Sequence, residues 1–232
     1  MKDSKGNKLV KDTDYTVTYS NNKYIGKATA KITFKGKYSG TKSLTYKIIP
    51  GKVTGLKATQ TTTSVKLTWT KVSGATTYRV YKYSSTTKKY TQVGSTTGTS
   101  YTVKSLKSGT AYTYYVRASK TVSGTTYYSS AYTQIKTGTK PSTPKTPTLT
   151  AGTKKITAKW TKISGASGYQ VQMKKGSSGK YSTIYTGTKL TYTKSSLTKG
   201  STYYFKVRAY KTVDGTTYYS AYSTAKSVKI AK

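Results

Sequence analysis

The chain of 232 residues sets 42 lysines and arginines against four acids, Asp3, Asp12, Asp14 and Asp214, for a formal net charge of +38. Cysteine, histidine and glutamate are absent. That inventory excludes a disulfide framework, a thiolate nucleophile, a serine–histidine–acid triad and the commonest metal ligands, and it leaves a surface drawn to polyanions.

The opening MKDSKGNKLV has no apolar run and is not a signal peptide, so an extracellular protein would carry its export signal outside this chain. No stretch approaches the roughly 20 apolar residues of a membrane helix, and no membrane insertion is expected. Strands are predicted near 15–19, 27–34 and 42–48, parted by Asn21-Asn22 and by the segment from Gly36 to Gly40. Pro50-Gly51 marks a boundary. Beyond it, Thr, Tyr, Val and Ile alternate with polar residues between Gly and Ser clusters, with no helical period. Strands are predicted near 53–59, 64–70, 77–83, 89–93, 99–104, 111–121 and 126–136. Val65, Leu67 and Trp69 share one face, as do Tyr78 and Val80, and Tyr112, Tyr114, Val116 and Ala118. Short strands with one buried face each make a sandwich of two sheets. Ser123-Gly124 in VSGTT reads as a two-residue hairpin turn. The stretch TGTKPSTPKTPTLT predicts an extended, semi-stiff linker over about 137–147.

The pattern then starts again. WTKVSGATTYRV from Trp69 returns as WTKISGASGYQV from Trp160, an offset of 91 residues. The same offset relates Tyr78 to Tyr169, Leu106 to Leu197, Gly109 to Gly200, Arg117 to Arg208 and Tyr127 to Tyr218. Two copies of one module of about 90 residues follow, arranged as beads rather than as a solenoid. The domains are 1–50, 51–137 and 138–232. In LKSGTAY and LTKGSTY, Tyr112 and Tyr203 stand where a sandwich places its tyrosine corner, the hydroxyl reaching backbone a few residues upstream. Asp214-Gly215 repeats the hairpin turn, so the acid of the second module reads as a turn residue.

Trp69 and Trp160, with L-x-x-G-[TS]-x-Y-x-[YF]-x-V-R-A at 106–118 and 197–209, resemble fibronectin type III domains over about 51–137 and 140–232. Unlike that family's usual modules, these carry almost no acids, and no RGD tripeptide occurs. The first fifty residues are similar to the trailing half of an immunoglobulin-like repeat of large bacterial surface proteins, whose leading strands would lie before Met1. The resemblance implies an all-β fold: two tandem fibronectin type III-like β-sandwiches after an N-terminal partial β module.

Catalysis is hard to build from these residues. Asp12 and Asp14 alternate on an exposed strand and make no cleft, and no phosphate loop of the form GxxxxGK[ST] occurs. No catalytic residue, cofactor or metal site is assigned. On the third and sixth strands of the first module, Arg79, Tyr81, Tyr83, Tyr115 and Arg117 alternate with core residues and are expected to form an outward face of tyrosines and arginines. Such a face suits sugar rings and acidic glycans. The alternative is that cross-strand tyrosines only stabilise the sheet, by roughly 0.2–1 kcal/mol per pair. The matching positions of the second module, Gln170, Gln172, Lys206 and Arg208, lose most of the aromatics, so a ligand face is expected in the first copy alone.

The expected function is that of a non-enzymatic extracellular spacer and adhesion segment of a bacterial surface protein. It is monomeric and binds anionic cell-wall polymers or glycans weakly through its lysines. Carbohydrate-binding accessory modules of a secreted glycan-degrading enzyme are the alternative. With only three arginines, Arg79, Arg117 and Arg208, the charge does not point to specific nucleic-acid recognition.

Overall fold

A computed structural model describes residues 1–231. All the regular elements among them are strands. The N-terminal unit is a three-stranded antiparallel meander, β1 (Tyr15–Ser20), β2 (Gly26–Phe34) and β3 (Thr41–Ile48), in the order β1-β2-β3. Its register sets Val17 opposite Ile32, Ala30 opposite Leu44 and Ala28 opposite Tyr46, which gathers the apolar side chains on one face. Ala28 and Ile32 are buried there, whereas Leu44 (49%) and Tyr19 (59%) lie open to solvent.

The first sandwich holds β4 (Lys57–Gln60), β5 (Val65–Thr68), β6 (Thr77–Ser84), β7 (Lys89–Thr96), β8 (Ser100–Val103), β9 (Ala111–Val122), β10 (Thr125–Tyr128) and β11 (Thr133–Gly138). Its small sheet runs β4-β5-β8; its large sheet runs β10-β9-β6-β7, with β11 also paired to β9. The second repeats it with β12 (Thr148–Gly152), β13 (Lys155–Lys159), β14 (Gly168–Lys175), β15 (Ser182–Gly187), β16 (Thr191–Lys194), β17 (Thr202–Val213), β18 (Thr216–Tyr219) and β19 (Lys226–Lys229). The sheets are β12-β13-β16 and β15-β14-β17-β18, with β19 on β17.

Between the layers of the first sandwich lie Val65, Leu67, Trp69, Tyr78, Val80, Tyr114, Val116 and Ala118; Ile156, Trp160, Tyr169, Val171, Phe205 and Val207 fill the second. Alternation along each strand dictates this, since every second side chain must point inward. Both tyrosine corners form: the backbone N–H of Lys107 donates to the Tyr112 hydroxyl at 3.0 Å, and that of Thr198 to Tyr203 at 2.9 Å. A second pair of latches escaped the sequence reading. The Val72 N–H donates to the Tyr78 hydroxyl at 2.8 Å, and the Ile163 N–H to Tyr169 at 2.7 Å.

Tyr114 behaves differently. Its ring is fully buried and its hydroxyl finds no hydrogen-bond partner in the protein. Burial first, and then the neighbouring Tyr112, push that hydroxyl above the ordinary phenol range. The equivalent residue of the second sandwich is Phe205. Tyr114→Phe is therefore expected to stabilise the first sandwich, by about 1–3 kcal/mol, because an unsatisfied buried hydroxyl is removed. A urea midpoint that rises at constant m-value meets this expectation; a fall contradicts it.

Two boundaries differ from expectation. The predicted strand 126–136 is broken into β10 and β11, because residues 129–132 span the place where only 117–118 run on β9. Ser129 turns inward at the break and its carbonyl accepts the Arg117 Nε–H at 2.8 Å. The linker also starts later than 137. β11 reaches Gly138, Thr139 donates its N–H to the Thr110 carbonyl, and Lys140 to that of Thr61. Pro141, Pro144 and Pro147 are all buried. That spacing matches the three residues per turn of an extended polyproline helix with one face laid down.

Both predicted hairpin turns form, and each hairpin touches the preceding unit. Asp214 and Gly215 take φ of 51° and 77°, as Ser123 and Gly124 take 46° and 76°, the positive values a two-residue turn demands. Val213, at the tip of the β17–β18 hairpin, meets the first sandwich at Gly138: a Cβ built there would lie 2.8 Å from Val213 Cγ2. Tyr218 reaches Thr137 Oγ1 at 3.3 Å. Beside them, Gly165 abuts Gly109 backbone to backbone. The other joint uses the same two downstream parts, moved back by 91 residues, on different upstream partners. Val122 faces Gly26, and Ile25 packs over Gly74.

Candidate functional site

The outer face of the first large sheet brings all five candidate residues together. Register sets Tyr81 opposite Tyr115, Arg79 opposite Arg117 and Tyr83 opposite Tyr90. Tyr81 stacks on Tyr115 with ring centroids 4.6 Å apart, and Tyr132 stacks on it at 4.1 Å. Tyr90 meets the same ring edge-on at 4.7 Å. Tyr115 is thereby left only 9% exposed, and this burial raises its hydroxyl above the phenol range.

The expectation of an open aromatic face is corrected here. The rings of Tyr81, Tyr115 and Tyr132 cover one another, so the layer spends its flat faces internally and leaves Tyr132, 44% exposed, at the rim. Arg79 and Arg117, like charges directly opposite, are held apart from water on one side by the Tyr128 ring, at 5.0 and 4.8 Å. Tyr90, Tyr128 and Tyr132 belong to the cluster and were missed, because each arrives from a strand or break outside the third and sixth strands.

The second sandwich corrects the other expectation, since its aromatics are not lost. Tyr181 and Tyr219 preserve the 91-residue offset from Tyr90 and Tyr128, and Tyr222 occupies the place of Tyr132 in the shortened SAY segment. Lys206 lies 4.0 Å from the Tyr181 ring and 4.4 Å from Tyr222. Arg208 lies 3.7 Å from Tyr219 and 4.7 Å from Tyr222. Lys174 sits over Tyr204 at 5.0 Å and Tyr181 at 5.2 Å. Gln170 Oε1 accepts from Arg208 Nε at 2.9 Å and from the Tyr222 hydroxyl at 2.7 Å. Where the first copy stacks ring on ring, the second alternates cation and ring.

The acids are engaged elsewhere. Asp3 accepts hydrogen bonds from the Asn7 side chain, the backbone of Asn7 and Lys5, and the Tyr38 hydroxyl. The Asn7 side chain contributes most to holding its carboxyl below the usual range. Asp14 caps Val10, Asp12 takes a positive φ of 70°, and Asp214 pairs with Lys136 at 3.7 Å across the joint. The cleft beside Asp3 measures about 580 Å³ and is lined by Lys2, Lys5, Leu9, Phe34 and Lys37, with no second acid. Among the described residues no group of three potential metal ligands occurs, and no helix is long and apolar enough to cross a membrane.

This is a β-sandwich protein whose sheets present tyrosine and cations outward. Residues 51–136 match the family model of the fibronectin type III domain, and the second sandwich repeats that module strand for strand. The chain thus holds two fibronectin type III-like sandwiches in tandem. It is similar to the two-domain fibronectin type III segment of chicken tenascin at 22% identity and a TM-score of 0.48, over 76% of this chain and 98% of that one. It is also similar to the FN1–FN3 domains of chicken CNTN1 at 14% identity and a TM-score of 0.42, over 89% and 78%. None of the curated proteins compared matches the sequence.

Proposed function

We propose that the chain is a non-enzymatic, monomeric spacer and adhesion segment of a bacterial surface protein, working outside the cell. Fibronectin type III domains commonly serve as extracellular spacers, and the joints support that reading most directly. Each junction seats a hairpin tip and a neighbouring loop on the unit before it, at positions 91 residues apart, so the units are braced as well as strung. The N-terminal meander, with its apolar face half open, has the form of one layer of a two-layer unit and supports the partial immunoglobulin-like reading.

The lysines give the segment its adhesion. At +38 the surface attracts anionic wall polymers or acidic host glycans, and the attraction weakens as salt shortens the Debye length. The accessory-module alternative needs ring faces free to stack on sugars, and the first sandwich spends most of them on each other.

Small-angle scattering tests the spacer reading. A braced segment gives one narrow set of extended shapes, with the same maximum dimension at about 0.1 and 0.5 M salt although the Debye length roughly halves. A broad ensemble that contracts as repulsion is screened would overturn it.

A further inference from the structure

Across the outer face of the second large sheet, three cations follow one another with no acid to neutralise them. β14 and β17 pair so that Lys174 lies opposite Tyr204, Gln172 opposite Lys206 and Gln170 opposite Arg208. The row Lys174, Lys206, Arg208 therefore advances one outward position at a time, and outward positions recur about every 7 Å along a strand. Asp214, the single acid of this module, is engaged with Lys136 of the first sandwich.

The cations are also held in place. Tyr181, Tyr204, Tyr219 and Tyr222 lie against them, and Gln170 fixes the Arg208 guanidinium. Charges already ordered lose less freedom when an anion arrives. The first sandwich has no such row, because Tyr83 and Tyr115 stand where the second has Lys174 and Lys206. The nature of the ligand follows from what is left open. Each of these rings already faces a cation, which leaves less open aromatic surface on which nucleic-acid bases could stack. The Gln170 and Gln172 amides, opposite Arg208 and Lys206, supply neutral N–H donors beside the charges, suited to hydroxyl groups.

We propose that Lys174, Lys206 and Arg208 form a binding track for a linear polysaccharide bearing sulfate or phosphate groups, each cation taking a successive anion. The inference rests on the reading of the lysine-rich surface as a holder of anionic polymers, and adds where the polymer lies.

Heparin, a sulfated polysaccharide, is the probe, bound to the whole chain and measured by calorimetry at two salt concentrations. A variant carrying Lys174→Gln, Lys206→Gln and Arg208→Gln is compared with one carrying Lys66→Gln, Lys155→Gln and Lys159→Gln, exposed lysines of the small sheets. Both remove the same charge. The track variant is expected to lose at least about tenfold in affinity and two to three units of salt slope, against about threefold or less for the control. Equal losses in the two variants would overturn the track and leave the diffuse attraction standing. Wild-type protein that fails to bind heparin even at low salt would overturn the polymer reading as well. Single-stranded poly(U) that binds more tightly than heparin, and is lost with the same three substitutions, would overturn the polysaccharide assignment.

Discussion

Phe205→Ala is expected to destabilise the second sandwich by about 3–5 kcal/mol, in the upper range for truncating a core side chain. Phe205 is fully buried in the first third of β17. Its neighbours in the core include Val171, Val207, Ala209 and Ile156, all of them at or near zero exposure. Packed at interior density, they cannot close over the space a phenyl ring leaves, so the transfer and cavity costs add. The natural swap at this site is Tyr114 in the other copy, a change in polarity with almost none in volume. Trp160 lies in the same cluster and reports unfolding by its fluorescence, with Trp69→Phe as background to silence the first sandwich. A loss of under about 1 kcal/mol would mean that the layers can collapse onto each other, and the sandwich as described would be wrong.

Gly165→Val is expected to part the two sandwiches without unfolding either. A Cβ at Gly165 would stand 2.5 Å from the Gly109 carbonyl oxygen and 3.0 Å from its carbonyl carbon. Backbone stands on both sides of this contact, so no flexible side chain can swing away. The φ of +75° adds strain of about 1–3 kcal/mol for a β-branched residue. Gly176→Val supplies the control: its φ is +69°, but nothing lies within 4 Å of the Cβ position. Both variants carry the backbone strain and only the first carries the collision. NMR relaxation should show the wild type and Gly176→Val tumbling with one correlation time for both sandwiches, and Gly165→Val with shorter, separate ones. Joint tumbling retained in Gly165→Val would show that the contact does not hold the units together.

The strands, the core tryptophans and both tyrosine corners were legible because each is written locally. Alternation of period two names the inward residues, and a glycine-led turn names the corner. The break after Tyr128 was not legible, since SSAYT alternates as well as a continuous strand would; only the register against β9 reveals the added residues. The candidate face was half legible. Arg79, Tyr81, Tyr83, Tyr115 and Arg117 do share one surface, but whether a ring is open or covered depends on side chains that arrive from other strands, such as Tyr132. In the second copy, matching residues only along the third and sixth strands hid Tyr181 and Tyr219, although the same offset points to both. The joints lay beyond sequence reasoning altogether: Gly109 and Gly165 meet across two units, and nothing near either predicts the other.

The seating of each hairpin on its predecessor bears on how the segment would respond to being pulled from its ends. Few atoms hold a joint compared with the backbone ladders inside a sandwich, so tension separates the units first. The chain then lengthens a little at low force, while the buried rings and ladders stay shut until the load rises. Release would let the tips settle back into the same seats, a reversible give between stiff sandwiches.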